Sequence, residues 1–314
     1  MRVAAIDCGT NSIRLLVADL PPGGGPLRDL TRRMEIVRLG QGVDRTGRLA
    51  PEAIERTRVA LSGYAAEIRE LGAQKIRMVA TSASRDAANA GDFTAMVRAT
   101  LGQDPEVVSG DEEARLSFAG AVVGLPEARY LVVDIGGGST EFVVGSSTVD
   151  KAVSVDIGCV RLTERHLHDD PPAPEQVAAA EADIDAAVDR ALATVGAGRV
   201  SAVVGLAGSV TTVAAIALGL GAYDAGRIHH AEVSTVDVER ITKELLGMTR
   251  ADRLRIPVMH PGRADVIAAG AMVLRAILSR TGAPSVIASE HDILDGIAFG
   301  LSAAEPPVGE ASTG

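Results

Sequence analysis

Two stretches of this chain set an aspartate at the end of an apolar run and follow it with a turn of very small or hydroxyl-bearing residues. Asp7 precedes Gly9, Thr10, Asn11 and Ser12; Asp134 precedes Gly136, Gly137, Gly138 and Ser139. Turns this small let successive backbone N–H groups close on an anion as a nest, with Ser and Thr hydroxyls as further donors. A carboxylate at each turn suits a hydrated Mg2+, which takes one or two carboxylates and fills its other positions from phosphate and water. A single such hairpin says little. Two of them at domain spacing point to phosphate binding, with Asp7 and Asp134 facing each other across a cleft.

Other residues could add to that chemistry. Arg85, in TSASRDAAN, is expected to clamp phosphate, because its planar fork engages two oxygens at once; the alternative is an ordinary surface arginine on a helix. Asp111, Glu112 and Glu113 open another helix, where the helix dipole alone would favour acids. Gly208 and Ser209 lie in a turn, GLAGSVTT, that runs into a helix, and Ser209 either meets a ligand or caps that helix. His229 and His230 have no third partner at ligand spacing and read as surface residues. Cys8, inside the first turn, reads as a small buried filler.

These side chains need elements to hold them. The apolar runs flanking the first turn read as a β-hairpin that opens a mixed sheet, and Pro21–Pro26 as a loop at a hairpin tip. Pro51 stands at a first helical position, with Ile54, Leu61, Tyr64, Ala65, Ile68 and Leu71 following at helical spacing. Residues 75–81 read as a strand running into a helix that ends near Leu101. A short strand at 106–110 then leads to a helix at 111–124. At 131–145 the pattern restarts. Asp134, Gly136, Ser139 and residues 142–144 repeat Asp7, Gly9, Ser12 and residues 15–17 at an interval of 127. A repeat on that scale implies a duplicated α/β fold with a cleft between the copies. Residues 1–124 are expected as one domain, 125–304 as the second and 305–314 as a disordered tail. The second half should hold helices at 175–195, after 205–212, near 235–247, near 263–281 and from about 291, with a strand at 285–289.

The composition limits the partners. At 314 residues there is room for two packed domains. With no Trp, four Phe and three Tyr, the cores must be aliphatic. That scarcity also argues against single-stranded nucleic acid, which is held by aromatic stacking. The net charge of −10 sits entirely in the second half: residues 1–124 carry 16 basic and 16 acidic side chains, the remainder 15 and 25. An anionic substrate must then be held by local groups and a metal rather than drawn in by the overall field. Cys8 and Cys159 lack any pairing pattern and no signal-peptide pattern is present, which reads as a reducing cytoplasm. The uncharged stretch from Val200 to Tyr223 is long enough to span a bilayer. Its glycines and hydroxyls make it a buried strand, loop and helix, so no membrane partner is expected.

In order, DCGTNSIRLLV, ATSASRDAAN, SGDEEARLSFAG, DIGGGSTEFVV, GLAGSVTT and ASEHDILDGI resemble the exopolyphosphatase and guanosine-pentaphosphate phosphohydrolase family. That family belongs to the actin, hexokinase and heat-shock-chaperone superfamily. The resemblance covers about residues 2–300, and SGDEEARL with DIGGGSTE is specific to the family within the superfamily. It implies two duplicated RNase-H-like, actin-like domains. The implied reaction is Mg2+-assisted attack of water on the terminal phosphate of inorganic polyphosphate, with Mn2+ as a substitute ion. Guanosine pentaphosphate, losing its 5′ γ-phosphate, is the alternative substrate.

The resemblance also implies that Glu113 activates the attacking water, in keeping with the need for a positioned water and a proton acceptor. Asp111 and Glu112 remain capping or solvent-facing groups. Glu141, just past the second turn, is implied to bind the metal or orient water, against an exposed strand charge as the alternative. Arg14, aligned with Glu141 in the first hairpin, reads equally as a surface residue. Gly208 and Ser209 would support the far side of the cleft. Two departures stand out: long family members carry further C-terminal helical domains that this chain ends before, and GLAGSVTT is less Gly-rich than expected. A homodimer is an allowed assembly. Rival functions are a polyphosphate or nucleotide sensor without turnover and a sugar or acetate kinase of the same superfamily.

Overall fold

The computed structural model describes residues 1–21, 27–198 and 200–301. Residues 22–26 of the expected loop, and the expected tail at 305–314, lie outside them. The chain opens with three antiparallel strands, β1 (Arg2–Cys8), β2 (Ser12–Asp19) and β3 (Arg28–Ile36). α1 (Val43–Thr46) and the long α2 (Pro51–Leu71) lead to β4 (Lys75–Ala80). The helix expected to end near Leu101 is two, α3 (Ser82–Asp86) and α4 (Ala90–Leu101), because Ala87 adopts extended backbone between them. β5 (Glu106–Val107) is shorter than expected and precedes α5 (Gly110–Ala121). The sheet order is β3-β2-β1-β4-β5.

The second half repeats this plan. β6 (Tyr130–Ile135), β7 (Thr140–Gly145) and β8 (Val149–Val155) are followed by α6 (Cys159–His166) and α7 (Pro174–Val195). Then come β9 (Ala202–Leu206), α8 (Ala207–Ala217), α9 (Ala225–Ile228) and β10 (Glu232–Ser234). α10 (Thr235–Gly247), α11 (Arg250–Arg253), α12 (Ile267–Thr281), β11 (Ser285–Ala288) and α13 (Ile293–Gly300) complete the described chain. Read from the β8 edge, the second sheet runs β8-β7-β6-β9-β11-β10, the first order with one more strand. This is a duplicated RNase-H-like α/β fold.

The likeness extends to single hydrogen bonds. Gly9 N–H donates to the Ser12 carbonyl and Gly136 N–H to the Ser139 carbonyl, both at 3.0 Å. The register slips between Val17 and Ala18 in one sheet and between Val144 and Gly145 in the other, again 127 residues apart. β3 and β8 were not legible in advance. Charged residues in RDLTRRMEI and VDKAVSV, neither run fully buried, break the apolar alternation that marks a strand.

Helices α2 and α4 cover one face of the first sheet, burying Leu61, Tyr64, Ile68, Phe93 and Val97. The opposite face is covered by α13, whose Ile293, Leu294, Ile297 and Ala298 pack on Val3, Ala5, Leu16 and Val79. The last helix thus lies on the first sheet, away from the half of the chain that it follows. Between the sheets runs α5. Its Ala114, Phe118 and Ala121 join Tyr130, Val132 and Val143 of the second sheet, while Leu116 joins the α13 cluster. Glycines let α5 and α13 touch backbone to backbone: a Cβ on Gly296 would lie 2.0 Å from the Leu116 carbonyl oxygen, and one on Gly120 1.8 Å from that of Asp292. The uncharged 200–223 stretch folds as β9 and α8, and among the described residues no helix is long and apolar enough to cross a membrane.

Candidate active site

The turn after β1 and the turn after β6 meet in a cleft with an interior volume of about 100 Å³. They approach so closely that only small residues fit: a Cβ on Gly137 would lie 2.9 Å from Thr10 Cβ, and one on Gly138 2.5 Å from Ser82 Oγ. Thr10 and Ser82 share a hydroxyl–hydroxyl hydrogen bond of 2.8 Å. The second turn is oriented from behind by the start of α6. Its carbonyls at Gly136, Gly137 and Gly138 accept from the N–H groups of Cys159, of Val160 with Arg161, and of Gly158. With those carbonyls engaged at α6 and the Gly136 N–H on the Ser139 carbonyl, the N–H groups of Gly137, Gly138 and Ser139 are left for an anion, which is the arrangement a nest requires.

Four carboxylates are buried around this point. Asp7 and Asp134 end their strands beside the turns, Glu113 comes from the first turn of α5, and Glu141 pairs with Asp134 across the β6–β7 ladder. Burial raises all of their pKa values. Asp134 is pushed up to about 6 although the Ser117 hydroxyl, donating to its Oδ2 at 2.6 Å, opposes the rise. Burial and the charge of Asp134 push Glu141 to about 7 against hydrogen bonds from Ser139 and Ser154. Glu113 is raised well above the carboxylate range by burial, then by Glu141 and Asp134, with Arg85 acting the other way. Asp7 is raised by burial and held down in part by Arg14.

Of the residues expected at the site, Asp7, Gly9, Thr10, Asn11, Ser12, Glu113, Asp134, Gly136, Gly137, Ser139, Gly208 and Ser209 line the cleft. Three do not. Arg85 turns its guanidinium to Glu113 Oε2 (3.2 Å) and the Val108 carbonyl (3.1 Å). Gly138 faces Ser82 and Thr10, and Glu141 lies buried with its Oε1 accepting from Ser154 at 2.7 Å. The reading of Glu141 as an exposed strand charge is excluded by its 1% exposure. Ser209 does not cap α8, whose N-cap is Leu206. For α5 the cap is Ser109, accepting from Glu112 N–H, with Asp111 exposed beside it.

Arg14 corrects the surface reading. It donates to Asp7 Oδ2 from Nε at 3.0 Å and Nη2 at 2.7 Å, and its Nη1 binds Asp292 at the head of α13. Arg263 and Ser82 also line the cleft and were not singled out in the sequence, since neither stands in a repeated motif. His229 and His230 are also corrected: they are partly buried, their rings 3.7 Å apart, with His291 4.3 Å from His229. Burial, then the neighbouring His291 and His230, lowers His229 to about 4.

Among the described residues no three His, Cys, Asp or Glu side chains converge as a ready-made metal cage. Of the expected set, Asp7 and Asp134 line the cleft, and Glu141 lies buried beside Asp134 with Ser139 and Ser154 on its carboxylate. Mg2+ needs no such cage. It accepts one or two carboxylates and completes its shell from phosphate and water. Asp134 and Asp7 line the cleft with raised pKa values, so their negative charge is under-compensated, and a divalent ion fits that donor set.

The sequence profile of the Ppx/GppA phosphatase family matches residues 16–304. Exopolyphosphatase 2 of Mycobacterium tuberculosis is 51% identical, covering 96% of this chain and 98% of its own length. A solved exopolyphosphatase-like protein superposes with a TM-score of 0.92 at 42% identity, over 96% of this chain and 99% of that one. The Ppx/GppA protein of Aquifex aeolicus superposes with a TM-score of 0.81 at 31% identity, over 98% and 99%.

Proposed function

The chain belongs to the Ppx/GppA phosphatase family, and we propose that it is an exopolyphosphatase, a phosphoanhydride hydrolase that releases terminal orthophosphate from inorganic polyphosphate. One observation carries this reading: a buried carboxylate of raised pKa, Glu113, faces a cleft built from two anion-sized turns with Asp134 beside them. The turns hold the terminal phosphates through backbone N–H groups and the hydroxyls of Thr10, Ser12 and Ser139. Glu113 accepts a proton from a water in line with the terminal phosphorus. The water oxygen bonds to that phosphorus as the bridging P–O bond breaks, and the shortened chain leaves with its electron pair on oxygen. Asp134 and Asp7 would hold Mg2+, which when bound supplies charge neutralisation for the phosphate oxygens and the leaving group. Burial, with Glu141 and Asp134 beside it, raises the proton affinity of Glu113, which suits a group that accepts a proton. A cytoplasmic location agrees with two free buried thiols, Cys8 and Cys159.

A second reading is favoured by one feature. A cavity of about 440 Å³ adjoins the cleft and shares Arg14, Gly208 and Arg263 with it. Its walls include Pro257, Val258, Met259 and Tyr223, apolar surface that a bare phosphate chain does not need and that a nucleoside would use. Guanosine pentaphosphate is therefore the alternative substrate. Phosphate release from short polyphosphate, long polyphosphate and guanosine pentaphosphate, compared side by side, separates the two. Binding of all three without steady-state release would make the protein a sensor and overturn both.

A further inference from the structure

We infer that Arg161, in the first turn of α6, is a positioning residue that makes the geometry of the second phosphate turn conditional on closure of the two halves. The inference rests on the reading of that turn as a phosphate grip. Arg161 Nε donates to the Gly138 carbonyl at 2.8 Å. Its Nη1 donates to Asp44 Oδ1 at 2.6 Å and its Nη2 to Asp86 Oδ2 at 2.7 Å. Gly138 lies in the turn, whereas Asp44 (α1) and Asp86 (α3) belong to the first half of the chain. The Arg161 side chain is 13% exposed, so this cation is largely removed from water, while Asp44 and Asp86 stay in contact with it.

A guanidinium is a rigid planar fork, and it cannot keep three partners if one of them moves away from the other two. Separation of the halves therefore takes from Arg161 either both carboxylates or the Gly138 carbonyl. Losing the carbonyl bond releases one of the ties that hold the turn's oxygens away from the cleft. Neighbouring contacts act in the same sense. Arg165 also reaches Asp44, at 3.0 Å, and the Glu164 carboxylate accepts the Gly42 N–H at 3.0 and 3.1 Å. The polar face of α6 thus latches the second half to the first at one end of the cleft. Asp86 is the chain neighbour of Arg85, which holds Glu113, so the latch and the proposed base are anchored on the same short helix.

The test combines distance and kinetic measurements on the full chain. Spin labels on V59C and V236C, two exposed positions in opposite halves, report separation while both native thiols are buried. In the substrate-free protein, Arg161→Ala and the pair Asp44→Asn with Asp86→Asn should each lengthen or broaden the inter-label distance. For tripolyphosphate, KM should rise about tenfold, as a closed fraction reduced to roughly a tenth requires. kcat should stay within about twofold, because bound phosphates spanning both turns restore closure. The aspartate pair keeps Arg161 and its bond to Gly138, which covers a failure of the alanine variant to fold. An unchanged KM in the aspartate pair overturns the inference, and so does a raised KM without a change in distance. Ser139→Ala separates the two layers. If it raises KM while the latch variants are silent, the coupling fails and the phosphate reading stands. If it alters neither KM nor kcat, the phosphate reading of the turn fails and the inference with it.

Discussion

The guanidinium of Arg85 donates to Glu113 at 3.2 Å, so the cation expected to grip phosphate stands instead against the group expected to take the proton. That contact explains how a carboxylate buried among Glu141, Asp134 and Asp7 remains able to ionise. The function of Glu113 then follows from its proton affinity. Glu113→Gln keeps the shape and removes the basicity, and should lower kcat by on the order of 10²-fold or more while leaving KM for tripolyphosphate nearly unchanged. Steady-state phosphate release measures both constants. Near-normal kcat in the Gln variant would remove Glu113 from the mechanism.

Arg85 itself can be tested through pH. The charge of Arg85 lowers the pKa of Glu113, so Arg85→Met should raise it further. The acid limb of the kcat profile should then move to higher pH, with activity recovered on the alkaline side. A clamp on substrate phosphate would behave differently, raising KM with the limb in place.

Asp134 should govern the response to metal. Its Oδ2 is held by Ser117, and its carboxylate lines the cleft. Asp134→Asn is expected to raise the Mg2+ concentration needed for half-maximal activity and to lower activity, with Asp7→Asn acting in the same direction. Chelation with EDTA should abolish turnover of the unmodified protein and added Mg2+ should restore it. Turnover that survives EDTA unchanged would rule out the ion.

Stability should also carry the mark of these carboxylates. A carboxyl whose folded pKa is raised binds its proton more tightly in the native state. Its contribution is complete below the unfolded value near 4.5 and is lost as pH climbs through the folded value. For Glu141 that loss builds from about 4.5 and is nearly complete a little above 7, and Glu113 adds to it with the same sign. His229, His230 and His260 are lowered and act oppositely, but only below their usual 6.5. The clean window is therefore pH 6.5 to 8. In EDTA, Tm should fall across it, Glu141→Gln should flatten the slope, and Mg2+ at pH 8 should recover part of the loss. A Tm that rises across this window would contradict the burial of these charges.

The duplicated turns were legible because they repeat, with Asp7 and Asp134 on the same phase of the same hairpin. Glu113 was legible only through the family resemblance, since three acids at a helix start are equally what a helix dipole selects. What could not be read is what depends on distant chain segments meeting. The tie from Arg14 to Asp292, 278 positions away, exists only because α13 returns to the first sheet. Arg263 lies on a loop with no local signature, and nothing local placed Arg85 against Glu113, 28 positions away. Glu141 gave no sequence signal that Ser154, on a strand disguised by its charges, would take its carboxylate.

The close seam between α5 and α13 gives the last prediction. Gly296 lies against the Leu116 carbonyl, and the missing Cβ would be 2.0 Å from that oxygen. A backbone oxygen cannot swing aside as a side chain would, so Gly296→Ala must push the two helices apart. Overpacking of this kind costs about 1–3 kcal/mol and sometimes more. The damage should extend to the chemistry. Glu113 and Ser117 both sit on α5, and Asp292, which holds Arg14, heads α13. Moving either helix shifts Glu113 relative to Asp134 and loosens Arg14 from Asp7. The expected result is a lower denaturant midpoint together with reduced kcat, measured at a temperature where the variant remains folded. Gly300→Ala is the control. It lies near the end of the same helix, where an added Cβ would meet only Arg77 Nη1 at 3.1 Å, the far end of a flexible side chain. It should change stability by much less and leave kcat alone. Equal effects from both substitutions would mean that helix propensity, and not the seam, sets the outcome.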